Sequence, residues 1–317
     1  MTIGIAAHGA GAGLAVFTAL EGVERVGRGA IGGFASFVVI TAEGALLRAE
    51  TQRGGTATLF TAAETTGTKP PPEIAAAPFA AVMSSGPDRP APLAQFTPGD
   101  AAAGLVTGHR LPNVAGADGT ALNLAVLARL RAGIGAEEAG AEVLAANPDA
   151  DAGIIALDRR GGLFAANTAR VAARADLGFA REQDPETGAG VAVLHNAIHP
   201  SPPLAQLAAQ LALDAMNPRD RADFEVEVTA GTPVVAGEAN ALLLDEAGRV
   251  VAIAVDRPVF LQGRAEGAVI GPATRVRRGD HVLGRTVTEP YGVVVDGRLV
   301  SLSGRDRVAL GVRRARG

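Results

Sequence analysis

Apolar and polar positions are most clearly patterned over residues 104–175. The stretch predicts a strand, two consecutive helices, a strand, a tight turn and another strand. Leu122, Leu124, Val126, Leu127 and Leu130 spread nearly all round the first helix, which predicts burial on more than one side, with Asp118 as its cap. Gly135 stands where a helix end wants a left-handed residue, and Glu137 and Glu138 open the second helix at its positive end. Asn147-Pro148 stops it. Residues 153–157 form an apolar run, the pattern of a strand covered on both faces, and residues 158–162 turn it back into 163–168.

Upstream, residues 2–8 are a short apolar run, and the glycines of residues 9–13 make a turn into a second strand at 14–19. A charged connector, 21–28, leads to a third run at 30–41, followed by strands at 46–51 and 56–62. Together these predict a mainly antiparallel sheet of hairpins. Residues 65–98 are dense in Pro, Gly and Ser and read as a long loop. Residues 190–195 read as a strand. Ser201 caps a helix that has Pro202 at its first position and Leu204, Leu207, Leu211 and Ala215 on one face. Residues 224–228 alternate strictly, and beyond 231 short strands and Gly-rich turns carry no helix signal. The expected organisation is an α+β domain over residues 1–230 and a β-rich extension or small module over 231–317, with the boundary falling within 220–237.

Composition narrows the function classes. The 317 residues can bury a sizeable core, and no apolar run approaches the ~18–20 residues that span a bilayer. No charged start with a continuous apolar core follows Met1, so no signal peptide is expected. The absence of cysteine excludes disulfides, thiolate metal sites and a Cys nucleophile, and fits a cytoplasmic home. A net charge of -4 with only 3% aromatic residues argues against nucleic-acid binding. The expected partners are a small-molecule substrate and, from the all-round apolar helices, further copies of the chain in a homo-oligomer. No cofactor is expected.

Thr2 is the first chemical candidate. Removal of Met1 would leave a free α-amine, with a reference pKa near ~7.7–8.0, beside a hydroxyl that needs a base. His8 precedes Gly-rich residues whose N–H groups can approach an anion, or simply make a hairpin turn. His109, Arg110 and Asn113 cluster at a strand end, suited equally to holding a carboxylate or to a salt bridge and a turn. His195 and Asn196 end another strand; His195 and His199 lack a carboxylate at metal-ligand spacing. Asn167 lies on the returning strand, facing a cleft or solvent. Ser36, Ser84, Ser85 and Ser303 lie in no G-x-S-x-G setting.

The run ALNLAVLARLRAGIGAEEAGAEVLAANPDADAGIIALDRRGGLFAANT resembles an uncharacterised bacterial family of the Ntn-hydrolase-like superfamily, and the opening TIGIAAHGAGAGLAVFTALEGVERVGRGAIGGFASF is similar to that family's start. The similarity covers residues 2–175. It implies a four-layer αββα sandwich with an N-terminal Thr, Ser or Cys acting on amides, and Thr2 is the matching position. It also implies a supporting lysine, for which Arg25 or Arg28 would have to substitute, since Lys69 lies in the Pro-rich stretch. The expected function is hydrolysis of small amides by Thr2. Its own amine would be the base, Gly-rich backbone with Asn167 or Asn196 would stabilise the oxyanion, and His109 and Arg110 would orient an anionic substrate. The alternative is a non-catalytic small-molecule-binding or assembly protein on the same scaffold. A three-fold Ser–Lys ring-opening amidase is disfavoured by the single lysine.

Overall fold

The computed structural model describes residues 1–60, 69–86 and 88–315. They divide into two compact units, Met1–Asn217 and Pro218–Gly317. Both belong to an α+β protein whose sheets are mostly antiparallel.

The first unit runs β1 (Thr2–His8), α1 (Ala12–Val26), β2 (Ala35–Ile40), β3 (Leu46–Thr51), α2 (Thr56–Leu59), α3 (Pro72–Ala75), β4 (Phe79–Ser85), β5 (Gly99–Asp100) and β6 (Gly104–Arg110). It continues with α4 (Leu122–Arg131), α5 (Ala136–Ala145), β7 (Ala152–Asp158), β8 (Leu163–Asn167), α6 (Ala169–Ala172), β9 (Leu177–Gln183), β10 (Gly190–Asn196) and α7 (Ser201–Met216). Two sheets form, ordered β3-β2-β4-β1-β10-β9 and β5-β6-β7-β8. Because successive strand residues face opposite ways, each sheet buries both faces. Ile3, Ile5 and Ala7 pack with Val16, Leu20 and Val23 of α1 and Leu204, Ala208 and Ala212 of α7. Ala6, Val38, Ala192 and Leu194 meet Leu105, Ile155 and Leu157 of the smaller sheet. That sheet's other face, with Val106, Ile154 and Ala156, is covered by Leu122, Val126 and Val143 of α4 and α5. The sheets come close together at Gly4, where an added Cβ would come within 2.9 Å of the Gly108 Cα and closer still to its carbonyl oxygen.

Several local expectations are corrected. Residues 14–19 lie within the fifteen-residue helix α1 rather than a strand. Ala12, Ala15, Val16, Ala19, Leu20 and Val23 recur at helical spacing, and that stripe is what α1 buries. Residues 56–59 form a short helix, and the rest of the strand expected over 56–62 falls partly outside the described residues. The Pro-rich stretch contains β4, a central strand paired with both β1 and β2. Prolines flank it without entering it, so its ladder keeps every donor. Asp118 caps only a turn, through Thr120 N–H, whereas α4 begins after Ala121. Leu124 is half exposed, so α4 buries one face within the chain rather than several. The left-handed residue between α4 and α5 is Gly133, with φ 85°, while Gly135 is extended at the start of α5. Ser201 is the first residue of α7 rather than its cap, and the buried face runs through Leu204, Ala205, Ala208, Ala209 and Ala212, leaving Leu207 exposed.

The second unit contains β11 (Phe224–Thr229), β12 (Val234–Ala236), β13 (Ala241–Leu244), β14 (Val250–Val255), β15 (Arg264–Gly267), β16 (Arg275–Arg278), β17 (His281–Thr286), β18 (Gly292–Val295), β19 (Arg298–Leu302) and β20 (Arg307–Arg314). Seven strands make a sheet ordered β11-β20-β17-β16-β13-β14-β12, and β15-β18-β19 make a second. Their shared core includes Val228, Leu242, Ile253, Val276, Val294 and Val312. The alternating strand β11 pairs with β20 along six residues and so belongs to this unit.

Candidate functional site

Pairing of β1 with β4 and β10 puts Ser85, Thr2 and Asn196 side by side in one row across the larger sheet. The row faces the smaller sheet, where β6 and β8 end with His109, Arg110 and Asn167. Thr2 is fully buried, and its Oγ1 donates to Asn196 Oδ1 at 2.8 Å and accepts the Arg110 backbone N–H at 2.5 Å. His109 bridges the two asparagines, with Nδ1 3.4 Å from Asn196 Oδ1 and Nε2 2.6 Å from Asn167 Oδ1. Burial pushes the His109 pKa down to about 4; hydrogen bonds to the asparagines only partly oppose this, and His195 and Arg110 push it further down. The ring is therefore neutral near pH 7 and carries one N–H. With a single N–H the ring donates to one of the two asparagine oxygens and not to both.

Backbone conformation at the two strand ends aims these groups. Arg110, directly after His109, has φ 64°, and Ala197, directly after Asn196, has φ 55°. Left-handed backbone costs a non-glycine residue about 1–2 kcal/mol, and such strain concentrates where function demands it. At Arg110 it turns the N–H onto the Thr2 hydroxyl while the guanidinium grips Asp151 with two hydrogen bonds of 2.7 and 2.6 Å. At Ala197 the N–H donates to the Asp176 carbonyl, and Asp176 in turn holds Arg174 with bonds of 2.8 and 2.6 Å.

The amino terminus lies beside these arginines. Burial first, then Arg89, Arg110 and Arg174, lower the pKa of the Met1 amine below its ordinary 8.0, and Asp176 offsets this in part. Arg110 and Arg174 have carboxylate partners. Arg89 donates from Nε to Ser85 Oγ at 3.3 Å and forms no ion pair with a described residue; burial and Arg110 lower its pKa.

Of the residues expected at a site, Thr2, His109, Arg110, Asn167 and Asn196 converge, and four do not join them. His8 is at the opposite end of β1 and lines a separate cleft with Gly161, Gly162 and Arg181. His195 projects to the other face of β10, where Nε2 donates to the Ser201 carbonyl at 2.9 Å, so it secures the start of α7. Asn113 donates to Gln95 Oε1 at 2.8 Å and fastens the loop after β4. Arg28 bridges His199 through its backbone, with its side chain exposed. His109, neutral at pH 7, carries no charge with which to orient an anion. Ser85, Arg89, Asp151, Arg174 and Asp176 were not expected at a site. Strand alternation could have indicated Ser85; the others had no local signal. Among the described residues no cluster of three or more His, Asp or Glu is placed to hold a metal. No helix among them is long and apolar enough to cross a membrane.

Fold and site thus define an α+β protein with a buried polar cluster centred on the threonine that starts its central strand. Residues 2–225 match the family model described as Domain of unknown function (DUF6963), and the chain belongs to that family. Residues 231–307 match a second model, Domain of unknown function (DUF7259). No curated protein and no solved structure matches the chain.

Proposed function

We propose that the chain hydrolyses small amides or peptide-like compounds with Thr2 as nucleophile, once Met1 has been removed. The observation that carries this reading is the placement of the Thr2 hydroxyl. It lies at the strand end, next to the chain terminus, held between the Asn196 amide and the Arg110 N–H. Burial first, then Arg89, Arg110 and Arg174, lower the pKa of the Met1 amine, and a freed Thr2 amine one residue along would serve as the base beside its own hydroxyl. The amine takes the hydroxyl proton as Oγ1 attacks the amide carbon. The Arg110 N–H is the nearest donor for the oxyanion, Asn196 Oδ1 orients the Thr2 hydroxyl by accepting its proton, and Asn167 acts through His109 as a positioning residue. Collapse expels the amine leaving group, which receives that proton, and water then hydrolyses the Thr2 ester. Arg89, the one guanidinium of the three without a carboxylate partner among the described residues, would receive an anionic group of the substrate. The same reading takes the helix pair, two facing sheets and second helix pair as the four-layer αββα sandwich of N-terminal-nucleophile hydrolases.

A second reading, a non-catalytic small-molecule-binding protein, is favoured by the Met1 sulfur, which accepts the Ala30 N–H at 2.9 Å and so anchors the residue that would have to leave. The intact mass of the native, untagged protein separates the two. The hydrolase reading expects loss of Met1, turnover of chromogenic amides, abolition by Thr2→Ala and partial retention by Thr2→Ser. Retained Met1 without internal cleavage, or turnover unchanged in Thr2→Ala, overturns it.

A further inference from the structure

The second unit carries a charge arrangement that the first does not. Residues 218–317 hold fifteen arginines against thirteen acidic residues, while residues 1–217 hold fourteen basic against twenty acidic. The register of β16, β17 and β20 sets Arg275 opposite Arg285 and Arg285 opposite Arg313. The flanking Val276, Thr286 and Val312 are buried, so these arginines share the outer face of the sheet. Like charges directly opposite each other on neighbouring strands are destabilising. Arg249, Arg264, Arg277 and Arg307 pair with carboxylates, whereas Arg275, Arg285 and nearby Arg257 have no carboxylate partner among the described residues.

These three arginines line one cleft of about 340 Å³, together with Asn240, Ala273 and Glu289. Arg285 is fixed along its wall by a 3.1 Å bond from Nη1 to the Ala273 carbonyl, and Ala273 adopts a left-handed backbone with φ 63°. The Asn240 Oδ1 accepts the Asp256 N–H at 3.1 Å, which leaves the amide NH2 as its spare donor. The cleft therefore has three guanidinium forks, an amide donor and one carboxylate. We propose that it is a binding site for a phosphorylated small molecule, with the phosphate held by Arg275 and Arg285 and a hydroxyl accepted by Glu289. Guanidinium forks match phosphate oxygens two at a time, and the volume lies at the lower end of the range for small-ligand sites, roughly 300–1,000 Å³. A nucleic-acid strand fits less well because the cleft has no aromatic side chain on which a base can stack.

The test is calorimetric titration of the full chain at low ionic strength with inorganic pyrophosphate, and in parallel with a single-stranded oligonucleotide. Saturable one-to-one binding of pyrophosphate is expected, weakened about tenfold or more by Arg275→Gln or Arg285→Gln, since each removes a charge-assisted guanidinium–phosphate pair. Arg249→Gln, outside the cleft, should bind like the parent. Without ligand, Arg275→Gln should melt no lower than the parent because cross-strand repulsion is relieved, which separates lost binding from lost folding. Absence of saturable pyrophosphate binding, or binding that neither cleft variant changes, overturns the proposal. So does an oligonucleotide that binds more tightly than pyrophosphate, with the steep salt dependence of backbone contacts.

Discussion

Replacing His109 by glutamine should make the protein less sensitive to acid, and the size of the effect follows from burial. In the folded chain the ring titrates near about 4, against an ordinary value near 6.5. Between those values the unfolded chain binds a proton that the folded chain refuses, so stability is complete above the ordinary value and declines as pH falls toward 4. The full difference is worth about 3 kcal/mol at ~1.36 kcal/mol per pH unit, of which about 2 kcal/mol is already lost at pH 5. His195, also lowered to about 4, chiefly by burial, makes a similar contribution. Wild-type protein should thus lose about 4 kcal/mol between about pH 7.5 and pH 5 from the two rings, and His109→Gln about 2 kcal/mol. Urea unfolding followed by helical circular dichroism suits the measurement, because all α-helices among the described residues lie in the first unit. His109→Gln starts from a lower stability at pH 7.5, so the slope with pH is the readout. Parallel curves for wild type and His109→Gln would refute the claim that this ring is buried and neutral.

Two further outcomes test the packing around the site. Gly4→Ala drives a methyl group into the Gly108 backbone where the sheets meet, and should cost about 1–3 kcal/mol or more in the same urea assay. Asp158 accepts N–H bonds from Ala136 at 3.0 Å, Arg160 at 2.8 Å and Gly162 at 2.9 Å, tying the start of α5 to the β7–β8 turn. Burial pushes its pKa up, but those donors outweigh burial and hold it below the ordinary carboxylate value. Its contribution is present above the ordinary value and lost as pH falls through the folded one. Asp158→Asn should lower stability by about 1.5–3 kcal/mol at pH 7, seen as an earlier urea midpoint, and should flatten the acid limb below pH 4.

Much of the element list was legible where the signal is local. The second helix expected within residues 104–175, with its acidic first turn and Asn-Pro stop, corresponds to α5, and the apolar run and turn after it to β7 and β8. The Pro-rich start and Asn-Pro stop of α7, and the alternation of β11, are signals of the same kind. Residues 14–19 are helical rather than extended because their buried small residues belong to a stripe that repeats at 3.6 along α1. β4 was hidden because prolines on either side dominate the local composition, although the seven residues between them form a buried strand.

By itself the sequence determined which segments prefer helix or strand, where glycine and proline interrupt them, and that Thr2 begins the first strand. These depend on residues within a few positions of each other, whose propensities and periodicity act before the chain folds. Only the tertiary structure decided that Thr2 meets Asn196, 194 positions away, and that a second sheet brings His109 and Asn167 to the same point. It also decided that His195 turns away, because a strand's register assigns each residue to one face and a single step reverses it. The same holds for the arginines of β16 and β17: their opposition comes from register and hydrogen bonding between strands, which no local spacing encodes.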